Sequence, residues 1–241
     1  MTAPAPQLVA AAEGAPVFHA IGLDHRASSA RLRDLVFVEA THVPDVLGWL
    51  REAGLAEAVL LSTCDRVEAV VRHPSAEAAR AAFAAALARN GRVPTNEIAA
   101  ELQIRSGAEA VRRLLAIAAS LESQVLGEPQ VLGQVKEAHG VAAAAGASGP
   151  ELVALFAAAY AAAKRVRSET GLAERPVTMA AAALRVARDI HGDVGRSSAL
   201  LIGDGEMGEL LIRHFAGAGL KRVAVAAPLP ARAEQLARAL D

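Results

Sequence analysis

Apolar positions fall in short runs over the first part of the chain and at helical spacing through its middle. From Val17 to Leu23 the run VFHAIGL predicts a strand, and Val43 to Ala53, which includes DVLGWL, carries helical spacing that ends at Gly54. AVLLS (Ala58 to Ser62) and EAVVR (Glu68 to Arg72) predict two short strands joined by TCDRV, a hairpin-sized connection with Cys64 at its tip. Ser75, after Pro74, opens an alanine-rich helix to Arg89, and Leu102 to Arg105 supplies a further short strand. The order βαββαβ is the ferredoxin-like pattern.

After Gly107 the spacing is helical for most of the way to His191, with breaks at Gly127 to Pro129, Gly146 to Pro150 and Gly171 to Pro176. SALLIG (Ser198 to Gly203), a glycine-rich turn, an amphipathic helix from Glu206 to Ala216, the strand RVAVA (Arg222 to Ala226) and a last helix then form a βαβα unit. Two strands are too few for a doubly wound sheet. The sheet is therefore expected either to continue in a longer parent or to be completed by a partner. The expected fold class is α/β: a loose tail over 1–16, a ferredoxin-like domain with a helical extension over 17–172, a linking helix over 173–196, and an incomplete Rossmann-type domain over 197–241.

Composition narrows the setting. With 241 residues, 53% hydrophobic and 21% charged, the chain is an ordinary globular one, and a formal net charge of -1 leaves no overall basic excess for a polyanion. Any contact with RNA would need a local patch. The single cysteine forms no internal disulfide and no cysteine-based metal site by itself, which suits a reducing compartment such as the cytoplasm. The start, MTAPAPQLVAAAEGAP, lacks the basic region of a signal peptide, and no apolar run has membrane-spanning length.

Three places offer chemistry. Gly203, Gly205 and Gly208 form G-x-G-x-x-G between a strand and a helix, with Glu206 and Met207 inside the motif. There the first glycine permits a tight turn, the second lets backbone approach a pyrophosphate and the third lets helix and strand pack closely, although a purely structural βα turn has the same outline. Asp204 puts a carboxylate in that loop, and Ala227, Pro228 and Leu229 offer no charge at the end of the second strand, where Arg232 is at best a displaced substitute. Cys64 is the second place: a thiol on an exposed turn with Arg66 two residues on can have a depressed pKa and act as a nucleophile, while Asp65 pushes the other way. A lone cysteine is otherwise a small buried apolar residue. The third is SLESQVLGEPQVLGQVKEAH, where Glu128 and Gln130 flank a break that by spacing alone fits an ordinary helix boundary with solvated polar residues.

Taken in order, GLDHRASSARLRD, STCDRVE and SLESQVLGEPQVLGQVK resemble the glutamyl-tRNA reductase family, and AKRVRSETGL (Ala163 to Leu172) and GDGEMGEL (Gly203 to Leu210) extend the likeness from about Phe18 to Leu220. The resemblance implies NADPH-dependent reduction of glutamyl-tRNA to glutamate-1-semialdehyde, the first committed step of tetrapyrrole synthesis from glutamate. It implies that Cys64 attacks the ester to give a thioester, which hydride converts to the aldehyde with no metal required. It places Thr63, Arg66 and Glu68 around the glutamyl group, Ser123, Gly127, Glu128 and Gln130 on the helical side of the same pocket, and the cofactor on Gly203, Gly205, Glu206, Met207 and Gly208. It also implies a helix through Arg175 to His191 that begins the family's spinal helix. A homodimer through a further C-terminal domain, and glutamate-1-semialdehyde aminomutase as a downstream partner, follow from the same likeness.

The chain departs from the family pattern at four points. Counting back from Leu121 places Arg105 where a histidine is usual, leaving His25 in GLDHR as the nearby candidate for proton exchange. Asp65 stands for asparagine, Asp204 for alanine, and Ala227, Pro228 and Leu229 for an Asn-Arg-Thr stretch associated with the NADPH phosphate. Two other functions are compatible with these departures: a non-catalytic paralogue that binds glutamyl-tRNA or regulates the pathway, and an esterase that forms the thioester and loses it to water.

Overall fold

The computed structural model describes residues 15–173, 178–203 and 205–238. Most of the expected tail, Asp204, and the stretch at Arg175 and Pro176 where the linking helix was expected to start lie outside them. The described residues fall into two compact units that divide at residues 175 and 176.

The first unit is built on four strands, β1 (Val17–Asp24), β2 (Glu57–Thr63), β3 (Arg66–His73) and β4 (Gln103–Ser106). They form one sheet in the order β2-β3-β1-β4, antiparallel at every pairing. This is the ferredoxin-like arrangement expected from βαββαβ. Between β1 and β2 lie α1 (Ala30–Val36) and α2 (Val43–Glu52), and between β3 and β4 lie α3 (Ala76–Gly91) and α4 (Thr95–Glu101). The extension adds α5 (Ala108–Ala118), α6 (Gln130–Ala144) and α7 (Pro150–Glu169).

Both faces of this sheet are covered, which explains why its strands read as continuous apolar runs. Val59, Leu61, Glu68 and Val70 meet Leu114 of α5, Val135 of α6 and Phe156 of α7. The alternate positions Ala58, Leu60, Val67, Ala69 and Val71 are equally buried, and α2 and α3 pack against β1, β2 and β3. Glu68 is thus a carboxylate beside Val59, Leu61 and Val70 under α5, with Asp24 and Arg66 paired at the end of the same face.

Two local devices shape the sheet. Gly22 pairs with Glu68, and a Cβ there would lie 2.5 Å from the Glu68 Cα and 2.6 Å from the Val67 carbonyl oxygen, so only glycine lets β1 and β3 approach this closely. The connection between β2 and β3 is two residues, Cys64 and Asp65, rather than the five expected, because Thr63 and Arg66 pair with each other. Neither turn residue has a positive φ, so the turn is not one of the primed types common in two-residue hairpins.

The second unit contains α8 (Met179–His191), β5 (Ser198–Ile202), α9 (Glu206–Gly217), β6 (Arg222–Ala226) and α10 (Pro230–Arg238). β5 and β6 pair in parallel. Leu184 of α8, Val194, Ile212 of α9 and Leu220 form its small core. The Thr178 hydroxyl accepts from the Ala181 N–H and caps α8 at its start.

Candidate active site

The turn at Cys64 is held from two sides. Since β1 runs antiparallel to β3, the end of β1 at Asp24 meets Arg66 at the start of β3, and the His25 N–H donates to the Asp65 carbonyl at 2.9 Å. From the other side comes the irregular stretch between α5 and α6. Asp65 accepts from the Gln124 backbone N–H at 3.1 Å and from its side-chain amide at 2.6 Å, and Arg66 Nη2 donates to the Glu122 carbonyl. That stretch closes on itself: Ser120, at φ 60°, donates its hydroxyl to the Glu128 carbonyl, and the Gly127 N–H donates to the Ser120 carbonyl.

Beneath the turn lies a cluster of ion pairs. Arg113, from α5, donates through Nε to Glu68 Oε1 at 3.0 Å and through Nη2 to Glu68 Oε2 at 2.8 Å, a bidentate pair. The same guanidinium reaches Asp24 at 2.6 Å and Glu122 at 3.0 Å, and Arg26 reaches Glu122 at 2.7 Å. Arg66 completes the set at 3.4 Å from Glu68. Three carboxylates thus face three guanidinium groups, and the Arg113, Asp24, Glu68 and Arg66 side chains are all buried. Burial works against the charge on Arg113, but the hydrogen bonds and charge of Glu68 and Asp24 outweigh it and keep the group more firmly protonated than usual. Burial likewise pushes Asp24 up, yet Arg113 and the Arg26 and Ala27 N–H groups together hold it below the ordinary carboxylate range.

These positions change how the residues expected from sequence are read. Cys64 is free and exposed on the turn. Its thiol is nevertheless pushed up, not down, first by crowding from surrounding protein and then by the carboxylates of Asp65 and Glu128. The expected help from Arg66 is lacking because that side chain does not stand on the exposed tip: it is 1% exposed and turned under the sheet end toward Glu68 and Glu122. Thr63 is half-buried, with its hydroxyl accepting from the Asp65 N–H at 3.3 Å. Ser123 and Glu128 are buried rather than solvated, while Gln130 is exposed in the first turn of α6. Gly127 has φ 78° and lies against Leu172, where a Cβ would come within 2.9 Å of backbone.

Arg105, assigned the position of the missing histidine, lies on edge strand β4 opposite Ala20. The residue of that segment which reaches the cluster is Arg113. Asp24, Arg26, Arg113 and Glu122 were not singled out from the sequence. Arg113 had a signal of its own: it shares one face of α5 with Ala110, Leu114, Ile117 and Ala118, and an arginine on an apolar stripe implies buried partners. His25 is half-buried, and burial, ahead of the opposing pull of Asp65 and Asp24, lowers its pKa; its Nδ1 has no partner among the described residues.

A sequence model described as the N-terminal domain of glutamyl-tRNAGlu reductase matches residues 21–170. The chain belongs to the glutamyl-tRNA reductase family. Curated relatives named glutamyl-tRNA reductase include that of Rhodospirillum rubrum, 43% identical over 91% of this chain and 51% of its own length, and that of Pseudomonas putida strain W619, 41% identical over 91% and 52%. The solved glutamyl-tRNA reductase from Methanopyrus kandleri is similar with a TM-score of 0.59 and 30% identity, across 95% of this chain and 53% of that one. The chain thus spans about half the length of the relatives it matches. A second model, described as shikimate / quinate 5-dehydrogenase, matches residues 185–241.

Within the second unit, this family member carries the glycine-rich loop where a strand meets a helix. Gly203 has φ 115° and donates its N–H to the Ala226 carbonyl at 2.8 Å, and Gly205 precedes α9 with open space where a Cβ would point. A Cβ on Gly208 would lie 2.9 Å from Leu201 Cδ1, so the third glycine sets how closely α9 lies on β5. Met207 is half-buried in the first turn of α9. The residues after β6, Ala227 to Leu229, carry no group for a 2'-phosphate. Among the described residues no helix is long and apolar enough to cross a membrane.

Proposed function

We propose that this chain carries the acyl-transfer half of a glutamyl-tRNA reductase, in which Cys64 takes the glutamyl group from glutamyl-tRNA as a thioester. The observation that supports it is the free thiol on a two-residue turn, braced by the Asp65–Gln124 and Arg66–Glu122 contacts. A thiol fixed this way approaches an ester carbonyl with little freedom to lose. Its sulfur forms the new bond to the carbonyl carbon, the bond to the ribose oxygen of the tRNA breaks, and the thiol proton ends on the departing hydroxyl. His25, neutral and tied by its backbone to Asp65, is suited to carry that proton on Nδ1.

Thr63, Ser123, Glu128 and Gln130 are assigned to the rim that receives the glutamyl group. Arg66 and Glu68, first expected to touch that group, are committed to each other, Arg66 also to the Glu122 carbonyl and Glu68 also to Arg113, and we assign them the framing of the turn. Gly203, Gly205, Met207 and Gly208, with the backbone of Glu206, would hold NADPH by its pyrophosphate, and the bound cofactor would supply the hydride that turns the thioester into glutamate-1-semialdehyde. The place in tetrapyrrole synthesis, the handing of product to an aminomutase, a homodimer and a cytoplasmic setting belong to the same proposal. The uncharged end of β6 favours one second reading, a chain that forms the thioester without reducing it.

Incubation of the chain with glutamyl-tRNA, with and without NADPH, tests this by mass spectrometry of Cys64, with Cys64→Ser as control. A glutamyl adduct without cofactor, replaced by semialdehyde when NADPH is present, is the expected result. Free glutamate in place of semialdehyde selects the esterase. No adduct in either condition overturns the catalytic reading.

A further inference from the structure

α6 and α7 enclose an open groove of about 560 Å3, apart from the Cys64 turn, whose polar lining is Lys136, Tyr160, Lys164, Arg167 and Ser168. Among the described residues that line it are three cations and no carboxylate. Other basic residues nearby are neutralised: Arg165 pairs with Glu169 one turn on. Lys136, Lys164 and Arg167, by contrast, have no ion-pair partner among the described residues. Lys136 instead sets its ammonium over the Tyr160 ring, 5.7 Å from the centroid. Arg167 is half-buried, its Nη2 held by the carbonyls of Glu128 and Pro129 at 3.3 and 3.4 Å. The groove therefore ends at the segment whose Glu128 carboxylate acts on the Cys64 thiol.

Lys136 and Lys164 are exposed and Arg167 is half-buried, so three cations share one open channel and repel one another, with no carboxylate of the described residues paired to any of them. In a chain of formal net charge -1 such a local excess is selective for a polyanion. We infer that this groove binds the ribose-phosphate backbone of the tRNA and guides its aminoacylated end past Glu128 to the Cys64 turn. The inference rests on the proposed function for the identity of the RNA. A channel whose cations are spaced along two helices suits consecutive phosphates, and the Tyr160 ring offers a stacking or ribose-packing surface.

The test is binding of uncharged tRNAGlu to the chain at several salt concentrations, which keeps thioester chemistry out of the readout. The Lys136→Gln/Lys164→Gln/Arg167→Gln variant should bind at least about tenfold more weakly at ~0.1 M salt. Its slope of log affinity against log salt should be shallower by about 2, each lost phosphate contact removing roughly 0.7–0.9. A charge-matched variant on α1, α2 and the end of α3, Arg31→Gln/Arg51→Gln/Arg92→Gln, should lose far less. Replacing both lysines by arginine should retain binding, and coincident melting curves exclude misfolding. Equal losses in the two triple variants, no loss in the groove variant, or loss of binding to anionic vesicles alone overturns the inference. Binding that behaves as expected in a chain that forms no Cys64 adduct would instead overturn the proposed function and leave the groove standing.

Discussion

Arg113 on α5 and Glu68 on β3 meet through two parallel hydrogen bonds of 3.0 and 2.8 Å, with both side chains 5% exposed. The pair fastens the helical extension to the ferredoxin-like sheet directly beneath the strand that leaves Cys64. Removing Arg113 takes the paired guanidinium from buried Asp24 and leaves buried Glu68 with only the longer contact to Arg66, while Glu122 keeps Arg26. Arg113→Ala should cost about 3–5 kcal/mol of stability, and Arg113→Lys, which keeps the charge but loses the fork, distinctly less. Urea unfolding followed by circular dichroism checks both; a loss below ~1 kcal/mol for the alanine variant would show that the cluster is not a structural joint.

Gly22→Ala should be as disruptive as a change in the core. The added carbon would press on the backbone of Val67 and Glu68, which cannot swing aside as a flexible side chain does. Separating β1 from β3 should cost about 1–3 kcal/mol. Amide exchange of Val67 and Glu68 should speed up in parallel; unchanged exchange there would argue against the close approach.

Cys64 alkylation should rise with pH on the alkaline side of an ordinary thiol, because crowding and then the Asp65 and Glu128 carboxylates oppose the thiolate. Asp65→Asn removes one of those charges and keeps a carbonyl for the Gln124 amide. Its alkylation midpoint should fall. Iodoacetamide rates across pH 7 to 10 measure this, and a midpoint that stays put or rises would remove Asp65 from the account.

Acid should weaken the fold before the carboxylates titrate. His19, His25 and His139 all have lowered pKa values, burial being the largest cause at each. Their unfolded counterparts bind protons from about 6.5 downward, so below that pH the unfolded chain holds more protons than the folded one. The stability of the neutral, buried rings is present above about 6.5 and is lost as pH falls toward the folded values. Urea midpoints should drop between pH 7.5 and 5.5, and His19→Gln, at the contact with Ser106 and the His73 carbonyl, should flatten the slope. A midpoint that is flat or climbs across this range contradicts the burial of these rings. Asp24, held low, adds a second loss further down, as pH falls through its depressed value.

Where local pattern and packing agreed, the sequence was readable. β1 and β6 fall where VFHAIGL and RVAVA predict them, and Ser75 caps α3 with its hydroxyl on the Ala78 N–H. α1 and α4 went unread because seven-residue helices show barely two turns of periodicity, with Leu32 and Val36 the apolar residues buried in the first and Ile98 the one buried in the second. At the site, the motif residues Cys64, Ser123 and Glu128 could be named from the sequence alone, but their surroundings could not.

The amino-acid sequence by itself determined the order of the strands, the ferredoxin-like topology and the glycine loop between β5 and α9, because these depend on spacing along the chain, and its motifs carried the likeness to the family. Tertiary structure alone decided which charges meet. Asp24, Glu68, Arg113 and Glu122 come from β1, β3, α5 and the loop after it, and no local pattern relates them. Only the close pairing permitted by Gly22 and the packing of α5 over β3 bring them together. The same packing turned Arg66 inward, away from the thiol it was expected to assist, to meet Glu68 and the Glu122 carbonyl.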